Sequence, residues 1–187
     1  MNKLSTYYKN LISSVLELSD SSDWQSAVFE WAIEDVTEDE TLSESCVCGK
    51  ENLRYLFTIR NTINGNKLYP IGSTCIKKFE RSDLDEIVSV KEQLFTLLHA
   101  IENNEFITLS SQYFSRRLLR YLYDNDAFLP TEYNQYEPYN DYQFLLDMFN
   151  KRSRSANQNK KATAIILNSI KPYLQSVLQD KIKKCNL

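Results

Sequence analysis

CVCGKENLRYLFTIRNTINGNKLYPIGSTCIKKF, residues 46–79, is the stretch around which the rest of the chain is organised. It holds three of the four cysteines and all three glycines. Within it LRYLFTIR (53–60) places Leu53, Tyr55, Phe57 and Ile59 at every second position, the period of a strand with one buried face. Asn64-Gly65 tolerates positive φ, so the chain can reverse tightly there. KLYPIG (67–72) returns as a second strand. Pro70 has no N–H to give a neighbour, which puts this strand at a sheet edge or ends it nearby. Gly72-Ser73 then opens a helix, with Ser73 as its N-cap and Ile76 and Phe79 facing inward.

The cysteines sit at the two ends of this hairpin. Cys46 and Cys48, followed by Gly49, form a tight turn able to present two thiolates to one metal. Cys75 lies at the start of the helix after the hairpin, where a treble-clef or zinc-ribbon arrangement takes further ligands. Position 78, where a second helical cysteine is expected, is Lys78. Structural zinc takes four nitrogen or sulfur ligands, and only Cys46, Cys48 and Cys75 are local. Cys185 and Glu44 are the candidates for a fourth. The competing reading is three buried thiols that pack as small hydrophobes around a hairpin-helix core.

Outward from the module, Leu4, Tyr7, Tyr8, Leu11, Ile12, Val15 and Leu16 repeat at helical spacing and predict an amphipathic helix over 3–18. LSDSSD (18–23) breaks it. Residues 24–36 read as a short helical turn followed by a strand across 29–36, with Phe29, Trp31 and Ile33 alternating and both tryptophans as core anchors. TEDETLSES (37–45) is an acidic loop. From 83 onward the pattern is helical. Asp83 caps a helix bearing Leu84, Ile87, Val88, Leu94, Leu97, Leu98 and Ile101. Ser110 or Ser111 starts a second, with Phe114, Leu118, Tyr121 and Leu122 on one face. A third spans 138–152, and a fourth spans 159–184 with a kink or break at Pro172. Between them, residues 123–144 are rich in Tyr, Asn and acids and read as a connector or a recognition surface.

The expected fold class is α+β and predominantly α-helical, with helices packed around the treble-clef-like hairpin. At 187 residues, a single domain is expected: N-terminal helix 3–18, hairpin module 29–80 and helical part 83–184. The hydrophobic fraction of 42% is enough for a sizeable core. No continuous apolar run is long enough to span a bilayer, and the periodic N-terminus reads as a helix rather than a signal peptide. Cysteines gathered in one module do not form a secreted disulfide framework, so a reducing cytoplasm is the expected setting.

Charge is polarised. Residues 1–50 hold ten acids against three lysines, whereas residues 151–187 hold nine Lys/Arg against the single acid Asp180. Such halves attract partners of opposite sign or neutralise each other. Catalytic patterns are sparse. The one histidine, His99, falls inside a predicted helix, and no glycine-rich phosphate loop is present. Nucleic-acid binding has two candidate patches: Arg116, Arg117 and Arg120 on one helix, and the basic run from Lys151 through Lys160 to Lys161. The pI near 5.3 opposes broad phosphate binding.

The succession CVCG, LRYLFTIRN, NGNKLYPIGSTCI and KKF resembles a small module in short proteins of bacteriophages and large DNA viruses. The match covers Cys46–Phe79. A histidine follows C-x-C-G in that pattern, and here Lys50 takes its place, removing the fourth ligand the resemblance implies. More loosely, the whole arrangement looks like staphylococcal phage proteins that bind the sigma factor of the host RNA polymerase. These resemblances imply a non-enzymatic phage or mobile-element accessory protein that binds a host protein, with transcription machinery as the favoured partner and zinc as the one cofactor in question. The alternative is a nucleic-acid-binding protein with a zinc-ribbon-like module and basic C-terminal helices.

Overall fold

A computed structural model of the chain describes residues 5–177. The chain divides into two compact units, the first ending at Ser89 and the second beginning at Val90. The class is α+β and mainly helical. Among the described residues no helix is long and apolar enough to cross a membrane.

The first unit opens with α1 (Thr6–Glu17), capped by the Ser5 hydroxyl and burying Leu11 and Val15. Leu4, the first position of the predicted stripe, lies outside the described residues. A one-turn helix, α2 (Trp24–Ala27), is capped by Asp23. It passes through a 3-10 turn (Val28–Glu30) into β1 (Trp31–Glu38). The strand therefore starts two residues later than predicted. Phe29 is left in the turn and exposed, with the Arg81 guanidinium 5.7 Å from its ring centre. β2 (Tyr55–Asn61) and β3 (Lys67–Ile71) complete an antiparallel sheet of order β1-β2-β3. Pro70 does lie on an edge strand, as its missing N–H requires. Trp31, Phe57, Ile59, Ile71 and Ile76 form the buried side of this unit.

At the turn after β2, Gly65 takes φ +80° and its N–H reaches the Asn61 carbonyl. The short helix that follows, α3 (Ser73–Ile76), is capped by Gly72 and not by Ser73, which is its first residue. A β-carbon at Gly72 would come within 2.9 Å of Leu53 Cδ2, so a bare backbone suits this position. Ile76 and Phe79 are buried as expected.

A polar knot joins the end of α1 to the hairpin turn. Glu30 is only 4% exposed. Its carboxylate accepts hydrogen bonds from the N–H groups of Asp20 (2.8 Å) and Ser21 (2.7 Å) and from Asn61 Nδ2 (2.6 Å). Its own carbonyl accepts from Thr62 N and Thr62 Oγ1. Asn61, with no exposed surface, accepts on Oδ1 from Ile63 N and Asn64 N. The Leu18 carbonyl, at the free end of α1, accepts from the side-chain amides of Asn61, Asn64 and Asn66. Burial works to raise the Glu30 pKa, but the bonds from Ser21, Asp20 and Asn61 outweigh it and hold the group at about 2.

α4 (Ser82–Glu102) contains the division between the units. Ile87, expected on its inner face, is partly exposed. In the second unit, α5 (Arg116–Asp124) is capped by Ser115, not by Ser110 or Ser111. Residues 110–114 form a turn closed by the Tyr113 and Phe114 N–H groups on the Ser110 carbonyl. Phe114 thus precedes the cap, where it is buried together with Leu119, the positions of a hydrophobic staple. α6 (Pro138–Asn150) starts on a proline, whose missing N–H costs nothing in a first turn. α7 (Ala156–Ile165) begins at a Ser155–Gln158 capping box. It continues through a π-helical segment (Ile166–Ile170), and the chain remains helical to residue 177. Pro172 neither breaks nor splits the helix. The wider π turn directly before it is a standard way to relieve the clash and lost bond a proline brings. The predicted helix end near 184 lies outside the described residues.

Two outcomes follow for stability. Phe57→Ala removes a fully buried ring from the central strand and should cost about 3–5 kcal/mol in urea unfolding. Glu30 has its folded pKa at about 2, below the ordinary 4.5, so its contribution is complete above the ordinary value and is lost as pH falls towards 2. Thermal melts between about pH 5 and pH 2 should therefore fall more steeply for the wild type than for Glu30→Gln, which should already melt lower at neutral pH. Parallel acid limbs would contradict this assignment.

Candidate functional site

Cys46–Lys50 is a tight turn. The Cys46 N–H bonds the Lys50 carbonyl (2.8 Å), and the Gly49 N–H bonds the Cys46 carbonyl (2.7 Å), with Gly49 at φ +92°. The turn is fastened to β3 by Val47 N–H on the Pro70 carbonyl and to α1 by Asn10 Nδ2 on the Cys48 carbonyl (3.0 Å). On its N-terminal side the acidic loop is ordered around Asp39. The Asp39 carboxylate accepts from Thr41 Oγ1 and from the N–H groups of Thr41, Ser43 and Glu44. The Thr41 hydroxyl is the main cause holding the Asp39 carboxyl well below the usual range, with burial opposing. What reads in sequence as a run of loose charge is a folded loop.

These fastenings bring the three sequence-predicted cysteines together. Cys46 Sγ lies 3.6 Å from Cys75 Sγ, and Cys75 Sγ lies 3.4 Å from Cys48 Sγ. All three sulfurs lie within 4.8 Å of one another. Such separations are far too long for a disulfide, and the three are free thiols. They are close to the edge of about 3.8 Å that follows for sulfurs each about 2.3 Å from a tetrahedral zinc. The Gly72 N–H points at Cys46 Sγ (3.4 Å). The Cys75 thiol and the N–H groups of Cys48 and Gly72 pull the Cys46 pKa down to about 5 against the effect of burial. Burial pushes Cys48 up. Cys75 is raised first by its sulfur contact with Cys46 and then by burial. Convergent sulfurs at these separations, with the Gly72 N–H aimed at one of them, could hold a metal ion. Among the described residues no histidine or carboxylate joins the cluster. Cys185 lies outside the described residues.

A second feature lies in the Tyr-rich connector. Residues 121–150 contain six acids and no Lys or Arg. The segment folds back on Asn134, which is buried. Asn134 Nδ2 donates to the Leu129 carbonyl and to Asp141 Oδ2, both at 2.8 Å, and Oδ1 accepts from Thr131 N (2.8 Å). Asn140 Nδ2 donates to the Asn134 carbonyl. Gln135 and Tyr136 both sit at φ +59°, a left-handed conformation that side chains resist. The result is a braced loop on which Tyr133 is 92% and Tyr136 66% exposed. Behind it Tyr123 stacks on Tyr142 (4.8 Å), and Tyr139 meets Tyr123 edge-on (5.8 Å). Asn134 carries no sequence signal beyond its place in an Asn-rich stretch.

The other sequence candidates are occupied or scattered. Arg116 Nε donates to Asn150 Oδ1, and Arg120 is ion-paired with Asp124. Lys161 lies over the Phe144 ring at 4.4 Å. His99 is 3.2 Å from a Glu102 carboxylate oxygen on the same helix. Comparison of the chain with protein-family models, with curated proteins and with solved structures returns no match.

Proposed function

We propose that this chain is a non-enzymatic phage or mobile-element accessory protein of the host cytoplasm that binds a host protein, with the RNA polymerase sigma factor as the favoured partner. The observation that carries the binding role is the braced loop 129–139. Two tyrosines stand in solvent on a backbone held by a buried asparagine and two left-handed residues. Backbone strain of this kind persists only where surrounding contacts over-determine it, and it concentrates at functional sites. Rigid tyrosines give contact area at low entropic cost. The segment that carries them holds six acids and no Lys or Arg over residues 121–150, which suits a basic partner surface such as a DNA-binding transcription factor presents, while Lys160 and Lys161 line the hollow beside Tyr133.

The cysteine module is read as a treble-clef-like zinc site with a structural role. Zinc held by Cys46, Cys48 and Cys75 would join the turn to α3 across the hairpin. The donor set supports zinc, a metal that thiolates favour.

Purified sigma factor should bind the chain, and Tyr133→Ala or Tyr136→Ala should each weaken that binding about tenfold while leaving the melting temperature unchanged. Absence of binding at micromolar concentration would remove sigma factor as the partner, and equal affinity of the variants would remove the loop. The chain purified with zinc present should hold about one zinc per molecule, lose it in Cys75→Ser, and melt lower after chelation. A metal-free protein with an unchanged melt would refute the zinc role.

A second reading, nucleic-acid binding, is favoured by one observation. Exposed Phe106 borders a groove that also includes Arg154 and Lys160, a pairing of ring and cations that suits a single strand. It requires affinity that falls steeply with salt and on charge reversal at Lys160.

A further inference from the structure

Two of the three clustered cysteines, Cys46 and Cys75, also form part of the wall of a cavity of about 160 Å³. Cys48, the more deeply buried member of the Cys46–Cys48 pair, takes no part in that wall. The remaining lining includes Lys50, Asn52, Arg54, Ser73 and Thr74. Tyr55, Leu53 and Gly72 complete the wall; no carboxylate or imidazole lines it, so beside the two cysteines its polar side chains are two cations, an amide and three hydroxyls. A space of this size admits water or a small organic anion.

From this arrangement we infer that the metal centre is an open one, with three cysteine thiolates from the protein and a fourth position that takes a small anionic donor, thiolate or carboxylate, from the cavity. The inference rests on zinc being held by the three thiolates. A divalent ion with three thiolates carries one net negative charge, and a further anion makes two. Unaided, that charge build-up disfavours the anion. Lys50 and Arg54 on the wall offset it, although Arg54 also pairs with Glu38 at 2.8 Å, leaving Lys50 as the main contributor. The hydroxyls of Ser73 and Thr74 and the Asn52 amide add donors for a bound oxygen or sulfur. In a closed structural site all four ligands come from the protein. An open fourth position is the pattern of zinc sites that exchange ligands.

The test uses the full chain loaded with Co2+ in place of zinc, reduced with a phosphine so that no competing thiol is present. Three-thiolate charge-transfer bands are expected, together with tetrahedral ligand-field bands that shift on addition of 2-mercaptoethanol or of acetate. The two arms distinguish a thiolate from a carboxylate ligand, and a saturable shift in either supports the inference. Cys185→Ser should leave the spectrum unchanged, and Lys50→Glu should weaken the responding probe about fivefold. A spectrum of four thiolates that drops to three in Cys185→Ser would assign the fourth position to the chain itself and overturn the open site, with the zinc reading intact. Bands that neither probe moves would also overturn it. Absence of any thiolate–cobalt band would overturn both this inference and the zinc reading.

Discussion

The hydrogen bonds between the buried Glu30 carboxylate and its three donors hold the first unit together. A charge withdrawn from water is costly unless every lone pair is met, and a buried polar network is worth most when it is complete. Here two backbone N–H groups and one amide meet the carboxylate, and the amide belongs to Asn61, whose other end orders the hairpin turn. The loop after α1, the start of β1 and the β2–β3 turn thereby share one small polar centre. The sheet and the cysteine turn are positioned by what that centre fixes, because β3 carries both the Pro70 carbonyl that fastens Val47 and the approach to Gly72.

Much of the hairpin was legible because its signals are local. Gly65 at the reversal, Pro70 on an edge strand and Phe57 and Ile59 on the buried face each follow from one residue's own geometry or hydrophobicity. The cysteine cluster was legible for the same reason, since a C-x-C turn and a helix start at the two ends of a hairpin must come near each other. Glu30 was not legible. In sequence it is one acid among ten near the N-terminus, and only the folded chain brings the Asn61 amide to it from 31 residues away. Asn134 was hidden likewise, because its partners are the backbone of its own loop and Asp141. The misplaced start of α5 has a different cause. Ser110, Ser111 and Ser115 are equivalent as caps by residue type, and the chain caps the helix at Ser115, with Phe114 and Leu119 on either side of the cap both buried.

The two candidate sites are built by opposite means. The cysteine site draws its candidate ligands from segments 27 to 29 residues apart and depends on the hairpin register being correct. The tyrosine loop is almost entirely self-contained, since every bond that braces it lies within residues 129–141. A change in the sheet would therefore disturb the first and leave the second, and the reverse holds for a change at Asn134. That independence would suit the proposed division of labour, in which one unit's module stabilises and the other's loop recognises.

The amides on the Leu18 carbonyl have a kinetic side. Asn61, Asn64 and Asn66 reach it across 43, 46 and 48 residues of chain, so the turn and the end of α1 complete each other only after a long loop has closed. Fraying of the helix end takes a partner from the buried Asn61 amide, whereas Asn64 and Asn66 are exposed to water. Helix end and turn are thus tied to one another by contacts that are distant in sequence.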